Sequence, residues 1–161
     1  MANFKHFTLK DRIEIEHSLK NHLSFKAIAN NLNKDCTSIA KEIKEHIIAK
    51  KTGAYGRSFN NCLYRFECKH SYLCDNINCK NSYCKFCSKC PTVCNDYVEE
   101  SCDLLLKPPY VCNSCSKLQK CTLQKSFYYA SNAQKEYEIL RHEILRHVSR
   151  KGINVDENEI I

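Results

Sequence analysis

The chain of 161 residues has no tryptophan and contains only three glycines, three prolines and one methionine. So few glycines and prolines exclude a loop-rich or low-complexity chain. No apolar run approaches the roughly 18 residues that a membrane-spanning helix requires, and the first residues lack the apolar segment of an export signal. We therefore expect neither a membrane protein nor a conventionally secreted one. The apolar share of 43% suffices for one or two modest cores rather than a large multidomain enzyme.

Cysteine, by contrast, is abundant: of 13 residues, 12 lie between Cys62 and Cys121, and Cys36 lies alone upstream. This content indicates either a disulfide framework in an oxidising compartment or metal ligands in a reducing one. The odd count and the lack of an export signal favour metal. Two thiolates with two residues between them can bind one tetrahedral ion, and three pairs have this spacing: Cys84 with Cys87, Cys87 with Cys90, and Cys112 with Cys115.

Twelve cysteines suffice for three four-thiolate sites, so we predict two to three structural zinc ions. One ligand set stands out by its spacing and consists of Cys102, Cys112, Cys115 and Cys121. The other eight suffice for two more sites, but their spacing leaves the pairing open, and His70 could replace one of them. These eight are Cys62, Cys68, Cys74, Cys79, Cys84, Cys87, Cys90 and Cys94. The alternative is that individual cysteines are small buried apolar side chains.

The positive charge that metal binding would not cancel lies in the first third of the chain. Residues 1–60 carry 11 basic and 6 acidic groups, whereas residues 122–161 carry 6 of each. Three four-thiolate zinc sites would lower the formal charge of the whole chain from +7 to about +1. A basic N-terminal segment therefore indicates a polyanion as partner.

Three short helices are predicted in this basic segment, over residues 9–23, 25–32 and 36–46. Thr8 and Ser24 precede the first two as N-cap residues. The apolar positions of each helix recur every three or four residues, which places them on one inner face. The segment is thus predicted to be a small helical domain.

The second and third helices fit the helix-turn-helix template. Small Ala29 allows a close helix crossing, Asn33 tolerates the left-handed turn, and Ile39 is the buried residue of the recognition helix. Such a helix lies in the major groove with its N-terminal residues at base edges. The side chains expected to contact DNA are Cys36, Thr37, Ser38, Lys41 and Lys44. The alternative is an ordinary three-helix bundle with a solvated polar face, which the acidic residues on and beside the third helix favour.

Several segments resemble the N-terminal region of insertion-sequence transposases of the IS-thirty type. Residues 8–12 (TLKDR), 23–29 (LSFKAIA) and 37–44 (TSIAKEIK) resemble its helix-turn-helix. Residues 105–115 (LLKPPYVCNSC) look like the cysteine segment of members from low-GC bacteria, and 133–137 (AQKEY) with 151–153 (KGI) are similar to the segment that follows it. The resemblance covers nearly the whole chain in order.

This resemblance implies that the helix-turn-helix binds the terminal inverted repeats of a mobile element in DNA transposition and recombination. Catalysis in the family belongs to a ribonuclease-H-like domain with a metal-binding Asp-Asp-Glu triad, and these 161 residues contain no segment of that kind. We therefore expect no transposase activity from this chain alone. Two positions depart from the family: His22 replaces a usual glycine, and Lys41 replaces a usual arginine, which exchanges a bidentate donor for a point charge.

A last helix is predicted over residues 132–150, with apolar positions four, three, four and four residues apart. Such a face packs against a neighbouring element or forms a homodimer. The predicted domains are a helix-turn-helix domain (1–50), a linker (51–61), a zinc module (62–124) and this amphipathic helix (125–152). Residues 153–161 read as the start of a missing C-terminal region, as in a truncated transposase.

The sequence thus predicts a mainly α fold: a three-helix helix-turn-helix domain, an irregular cysteine-rich zinc module and a C-terminal amphipathic helix. The expected partner is double-stranded DNA, without a membrane or a small-molecule substrate, in the bacterial cytoplasm with the nucleoid. The predicted function is that of the DNA-binding part of a truncated transposase. A stand-alone transcriptional regulator with structural zinc sites is the alternative, and a zinc-storage or interaction module is a further one.

Overall fold

The computed structural model describes residues 6–74 and 76–150. This part of the chain is mainly helical, as predicted, and contains five α-helices and one two-stranded sheet. In chain order the elements are α1 (Leu9–Lys20), α2 (Phe25–Leu32), α3 (Cys36–Glu45), β1 (Ile48–Lys50), α4 (Cys90–Val93), β2 (Lys125–Phe127) and α5 (Ala130–Arg150). Short 3-10 turns lie at Cys84–Phe86 and Asp103–Leu106. None of the described helices is both long and apolar enough to cross a membrane.

The chain divides into two compact units. The helical unit consists of the described residues up to Ile48 and from Tyr128 onward, and the cysteine-rich unit consists of residues 49–127. The helical unit is therefore discontinuous in sequence. It contains α1, α2, α3 and α5.

The first three helices begin at residues whose side chains satisfy free backbone N–H groups. Thr8, Ser24 and Asp35 each accept a hydrogen bond from an N–H in the first turn. At Thr8 the capping is reciprocal, because the Asp11 carboxylate accepts the Thr8 N–H at 2.8 Å. The helix starts predicted at Thr8 and Ser24 are confirmed.

Two left-handed residues close the turns between these helices. After α1, His22 has a φ of 60°; its N–H donates to the Leu19 carbonyl at 3.2 Å, and the Leu23 N–H donates to the Ser18 carbonyl at 3.0 Å. This paired arrangement is a Schellman motif, which satisfies the last carbonyls of a helix. Asn33 has a φ of 49° after α2, so the left-handed turn predicted for the helix-turn-helix is confirmed.

The positive φ of His22 is a backbone conformation that glycine adopts more easily than histidine. We expect His22→Gly to raise the free energy of unfolding of the helical unit by about 0.5–1 kcal/mol, because glycine adopts a positive φ without a clash at Cβ. Lys20→Gly, in the right-handed last turn of α1, should instead lower it by about 1 kcal/mol. Urea denaturation of both variants tests this pair. Equal destabilisation by the two glycines would contradict the left-handed backbone.

The core of the helical unit is formed by aliphatic side chains from α1, α2 and α3, with α5 packed on α1. Its nearly inaccessible aliphatic residues are Ile15, Leu19, Ile28, Ile39 and Ile43. Ala133 of α5 is fully buried, and the Glu16 carboxylate accepts the Ala130 N–H at 2.8 Å. An acidic side chain is favourable at this helix N-terminus. Further along α5, Ile139 and Leu140 are about half exposed.

The cysteine-rich unit has little regular structure and few aliphatic side chains in its interior. Six apolar side chains are buried in the described part of this unit, and four of them are cysteines: Cys62, Cys84, Cys90 and Cys112. The other two are Val111 and Leu123. Aliphatic packing alone therefore contributes little to this unit, and its stability requires another source.

The segment predicted as a linker is hydrogen-bonded within the cysteine-rich unit. The Tyr55 N–H donates to the Gln119 carbonyl at 3.1 Å, and the buried Lys125 ammonium donates to the Thr52 carbonyl at 2.5 Å. A Cβ atom at Gly53 would lie only 1.9 Å from the Arg57 carbonyl oxygen. Only glycine fits this close backbone approach.

The observed grouping also joins segments that lie far apart in the sequence. The helix predicted over 132–150 is present as α5, and it packs with the helix-turn-helix helices in one unit. Its apolar spacing identified the helix but not its neighbour, since periodicity reports a buried face and not what covers it. The predicted terminal segment 153–161 lies outside the described residues.

Candidate nucleic-acid interface and cysteine clusters

The outer face of α3 presents most of the side chains that the sequence predicts to contact DNA. Cys36, Thr37, Lys41 and Lys44 are exposed, and Ser38 is half-buried. On the opposite face, the two buried isoleucines hold α3 against the rest of the helical unit. Four of the five predicted contact residues are thus accessible on this helix, as groove binding requires.

The N-terminus of α3 is already occupied by an acidic side chain. The Asp35 carboxylate accepts the Thr37 N–H at 2.7 Å and also the Thr37 hydroxyl. These hydrogen bonds, the hydroxyl first, hold the pKa of Asp35 below its ordinary value. Asp35 is therefore anionic at neutral pH, and Thr37 must leave it before its hydroxyl can donate to a base or phosphate.

Lys41 is accessible and only loosely paired. Its ammonium lies 3.8 Å from the Glu45 carboxylate, and both side chains are largely exposed. Exposed pairs of this kind contribute at most about 1 kcal/mol. Lys41 can therefore exchange Glu45 for a phosphate or a guanine at little energetic cost.

Glu42, which the sequence suggests as an acidic residue near the interface, is buried on the inner side of α3. Only 6% of its side chain is exposed, and its carboxylate lies 2.8 Å from Arg12 Nε, itself only 2% exposed. The Tyr128 hydroxyl donates to the same carboxylate at 3.1 Å. Burial, and then the neighbouring Glu42 charge, raise the pKa of Tyr128, so it remains a donor at neutral pH. The negative charge of Glu42 is thus neutralised inside the unit.

Two further contacts connect α5 to this buried pair. Arg12 Nη1 donates to Gln134 Oε1 at 2.6 Å, and the Arg12 guanidinium lies 4.9 Å from the centre of the Tyr137 ring. At the end of α3, His46 Nδ1 lies 2.6 Å from Glu136 Oε2. The position of the recognition helix therefore depends on α5 as well as on α1 and α2. No local sequence pattern predicts this network, because its partners are far apart in the chain.

In the cysteine-rich unit, the predicted ligands Cys102, Cys112, Cys115 and Cys121 lie near one another. Burial raises the pKa of Cys112, and the charges of the other three thiols raise it further, in the order Cys115, Cys102, Cys121. The Cys115 N–H donates to the Cys112 carbonyl at 3.1 Å, which closes the turn between them. The other three predicted ligands thus lie within electrostatic range of Cys112, and their joint coordination of a metal stays a prediction.

A second cluster of thiols surrounds Cys90. Burial raises the pKa of Cys90 to about 11, and the charges of Cys94, Cys68, Cys62 and Cys84 contribute in that order. The Nδ1 atom of His70 lies 3.9 Å from Cys94 Sγ. These contacts involve five of the eight cysteines whose pairing the sequence leaves open, together with the proposed substitute ligand.

Two further cysteines of this region, Cys84 and Cys87, accept hydrogen bonds from nearby backbone N–H groups. The Leu73 N–H donates to Cys84 Sγ at 3.4 Å, and the Lys89 N–H donates to Cys87 Sγ at 3.5 Å. Cys74 and Cys79 are half-buried, and Cys36 is exposed in the helical unit. No disulfide joins the cysteines of the described residues. Among the described side chains, no group of three or more His, Cys, Asp and Glu residues has the geometry of a metal site as it stands.

The comparisons with known proteins agree with the geometry of the helical unit. A family model described as a helix-turn-helix domain matches residues 3–46, and this family is found in transposases. No curated protein and no solved structure matches the chain significantly. The N-terminal part of the chain is therefore a helix-turn-helix domain, which indicates DNA binding.

Proposed function

We propose that this chain is the DNA-binding part of a transposase and recognises the terminal inverted repeats of a mobile element. The observation that carries the proposal is the accessible outer face of α3 in a helix-turn-helix unit. Its lysines are exposed, whereas the Glu42 carboxylate is buried against Arg12. Without that burial the face would carry one more negative charge beside Lys41.

In this proposal α3 enters the major groove. Lys41 donates to a guanine or a phosphate, Thr37 and Ser38 donate from the first turn, and Lys44 contacts the backbone. The occurrence of the matching domain family in transposases and the resemblance of residues 105–115 and 133–137 support the transposase assignment. Strand cleavage would require a separate catalytic domain.

The proposed role of the cysteine-rich unit is structural. Cys102, Cys112, Cys115 and Cys121 would hold one zinc ion, because four neighbouring thiols are the ligand set that tetrahedral zinc prefers. Four thiolates close the coordination sphere, so such a site stabilises the fold and leaves no position for a reactive water. Homodimerisation through α5 stays a prediction.

Replacing Lys41 tests the proposed recognition helix. We expect Lys41→Ala to weaken binding to the preferred duplex by about 1–3 kcal/mol, because a contact between lysine and a base edge is lost. The preferred duplex is first selected from a random pool with the wild-type chain. Fluorescence anisotropy titrations at several salt concentrations then give the affinity and its salt dependence.

Lys135→Ala is the matched control, since Lys135 is an exposed lysine on α5 and its replacement changes the net charge equally. It should leave the affinity nearly unchanged. Equal weakening by the two variants would contradict a specific role for Lys41. Selected sequences that match a promoter rather than the ends of a mobile element would favour the stand-alone regulator.

A further inference from the structure

The cysteine-rich unit contains a cavity of about 230 Å³ that is partly open to solvent and has four cysteines in its wall. They are Cys62, Cys68, Cys90 and Cys94, and no other described cysteine lines this cavity. Cys62 and Cys90 are 5% and 3% exposed. Four soft donors around one cavity are the ligand types of a tetrahedral thiolate site.

Local backbone hydrogen bonds hold the two cysteines of each pair close together beside the cavity. The Cys94 N–H donates to the Cys90 carbonyl at 3.2 Å, so the two residues lie one helical turn apart on the same side of α4. On the other side, the Arg65 N–H donates to the Cys62 carbonyl at 3.1 Å, and the Cys68 N–H donates to the Tyr64 carbonyl at 2.9 Å. These consecutive turns bring the chain back to the cavity at Cys68.

Asn60 fixes the two pairs relative to each other. This side chain is 3% exposed, and its Oδ1 atom accepts the Cys62 N–H at 2.9 Å. Its Nδ2 atom donates to the Lys85 carbonyl at 3.0 Å and lies 3.8 Å from Cys90 Sγ. The buried Asn60 amide thus contacts one cysteine from each of the two pairs. Polar groups of this kind, which hydrogen-bond to metal ligands, orient those ligands.

The charges around the cavity also suit a thiolate site. A divalent ion with four thiolates carries a net charge of −2, and Arg65 and Lys85 both line the cavity. Lys85 Nζ donates to the Phe66 carbonyl at 2.8 Å, which holds this cation nearby. Arg65 Nη1 donates to the Cys62 carbonyl at 2.9 Å and also to the Glu100 carboxylate, so part of the Arg65 charge is already balanced. Asp96 also lines the cavity, but its side chain is 75% exposed and its charge is screened by water.

We propose that Cys62, Cys68, Cys90 and Cys94 form a second zinc site, separate from the set around Cys112. Each thiol releases its proton to water as it binds the ion. The two sets of ligands are therefore nested in the sequence. The outer two pairs share one ion, and the inner four cysteines are left as a separate set: Cys74, Cys79, Cys84 and Cys87. The proposal does not depend on DNA binding.

Cadmium nuclear magnetic resonance reads the ligand pairing directly in the intact chain. The full-length protein is loaded with the ¹¹³Cd isotope under reducing conditions, and couplings between cadmium and the cysteine β-protons are recorded. We expect one cadmium resonance to couple to the β-protons of Cys62, Cys68, Cys90 and Cys94 alone. Coupling of Cys62 or Cys90 to the same ion as an inner cysteine, or the absence of cadmium coupling at these four, would overturn the proposal.

Zinc content of single variants separates the ligands from their neighbours. Cys94→Ser should lower the zinc content of the purified, metal-replete chain by one equivalent, whereas His70→Ala and Cys36→Ser should leave it unchanged. His70 is the critical comparison because it lies 3.9 Å from Cys94 Sγ. Loss of one equivalent in His70→Ala but not in Cys94→Ser would replace the four-thiolate site by a three-cysteine, one-histidine site and refute the proposal.

Discussion

Replacing Arg12 with alanine is expected to lower the free energy of unfolding of the helical unit by about 3–5 kcal/mol. Arg12 and Glu42 are almost fully buried, with 2.8 Å between Nε and Oε1. Arg12→Ala leaves the Glu42 carboxylate inside the unit without its cation, and an uncompensated buried charge destabilises strongly. Hydrogen exchange of peptides from α1 and α3 in the full chain reports this loss for the helical unit separately.

Lys20→Ala is the matched control for Arg12→Ala. Lys20 also belongs to α1 and pairs with a glutamate, Glu16, at 2.6 Å, but its side chain is 55% exposed. Solvent screens that pair, so its loss should change the free energy of unfolding by no more than about 1 kcal/mol. If Arg12→Ala destabilises the unit no more than Lys20→Ala does, the buried pair is not formed in solution.

The second large effect is expected from removal of metal. A structural zinc site in a small domain contributes on the order of 10 kcal/mol to folding, and the cysteine-rich unit has few buried aliphatic side chains to replace it. A strong chelator under reducing conditions should therefore abolish protection from hydrogen exchange across residues 49–127. The Cys112 N–H, which donates to the Ser126 carbonyl at 2.6 Å, is a suitable reporter.

Cys112→Ser provides the corresponding variant. It should lower the bound zinc by one equivalent and weaken protection around Ser126, because the ligand set of Cys102, Cys115 and Cys121 would lose its buried member. Cys36→Ser removes a thiol that is exposed in the helical unit and should change neither quantity. Protection that survives both the chelator and Cys112→Ser would refute a structural metal.

Local sequence patterns predicted the helix-turn-helix well because its determinants are local. Thr8, Ser24 and Asn33 each act on backbone groups within a few residues, so their chemistry can be read without knowing the rest of the fold. The turn from Cys112 to Cys115 is local in the same way, since one backbone hydrogen bond closes it, whereas the zinc site proposed around it stays a prediction.

The remaining features depend on residues far apart in the chain, and no local pattern encodes them. Arg12 and Glu42 look like ordinary exposed charges on amphipathic helices, but in the fold they pair with each other, and Tyr128 and Gln134 supply further hydrogen bonds. The two cysteine pairs around the cavity are likewise joined through Asn60 and not through regular spacing. The burial of the ion pair and the grouping of these cysteines therefore depend on tertiary packing.

The discontinuous helical unit has a consequence for synthesis on the ribosome. Glu42 receives the hydroxyl hydrogen bond of Tyr128 from 86 residues further along the chain. A nascent polypeptide that has released only its first fifty residues therefore leaves this carboxylate without one of its donors and α1 without its covering helix. The buried hydrogen-bond network around Glu42 is therefore completed only after Tyr128 has been synthesised.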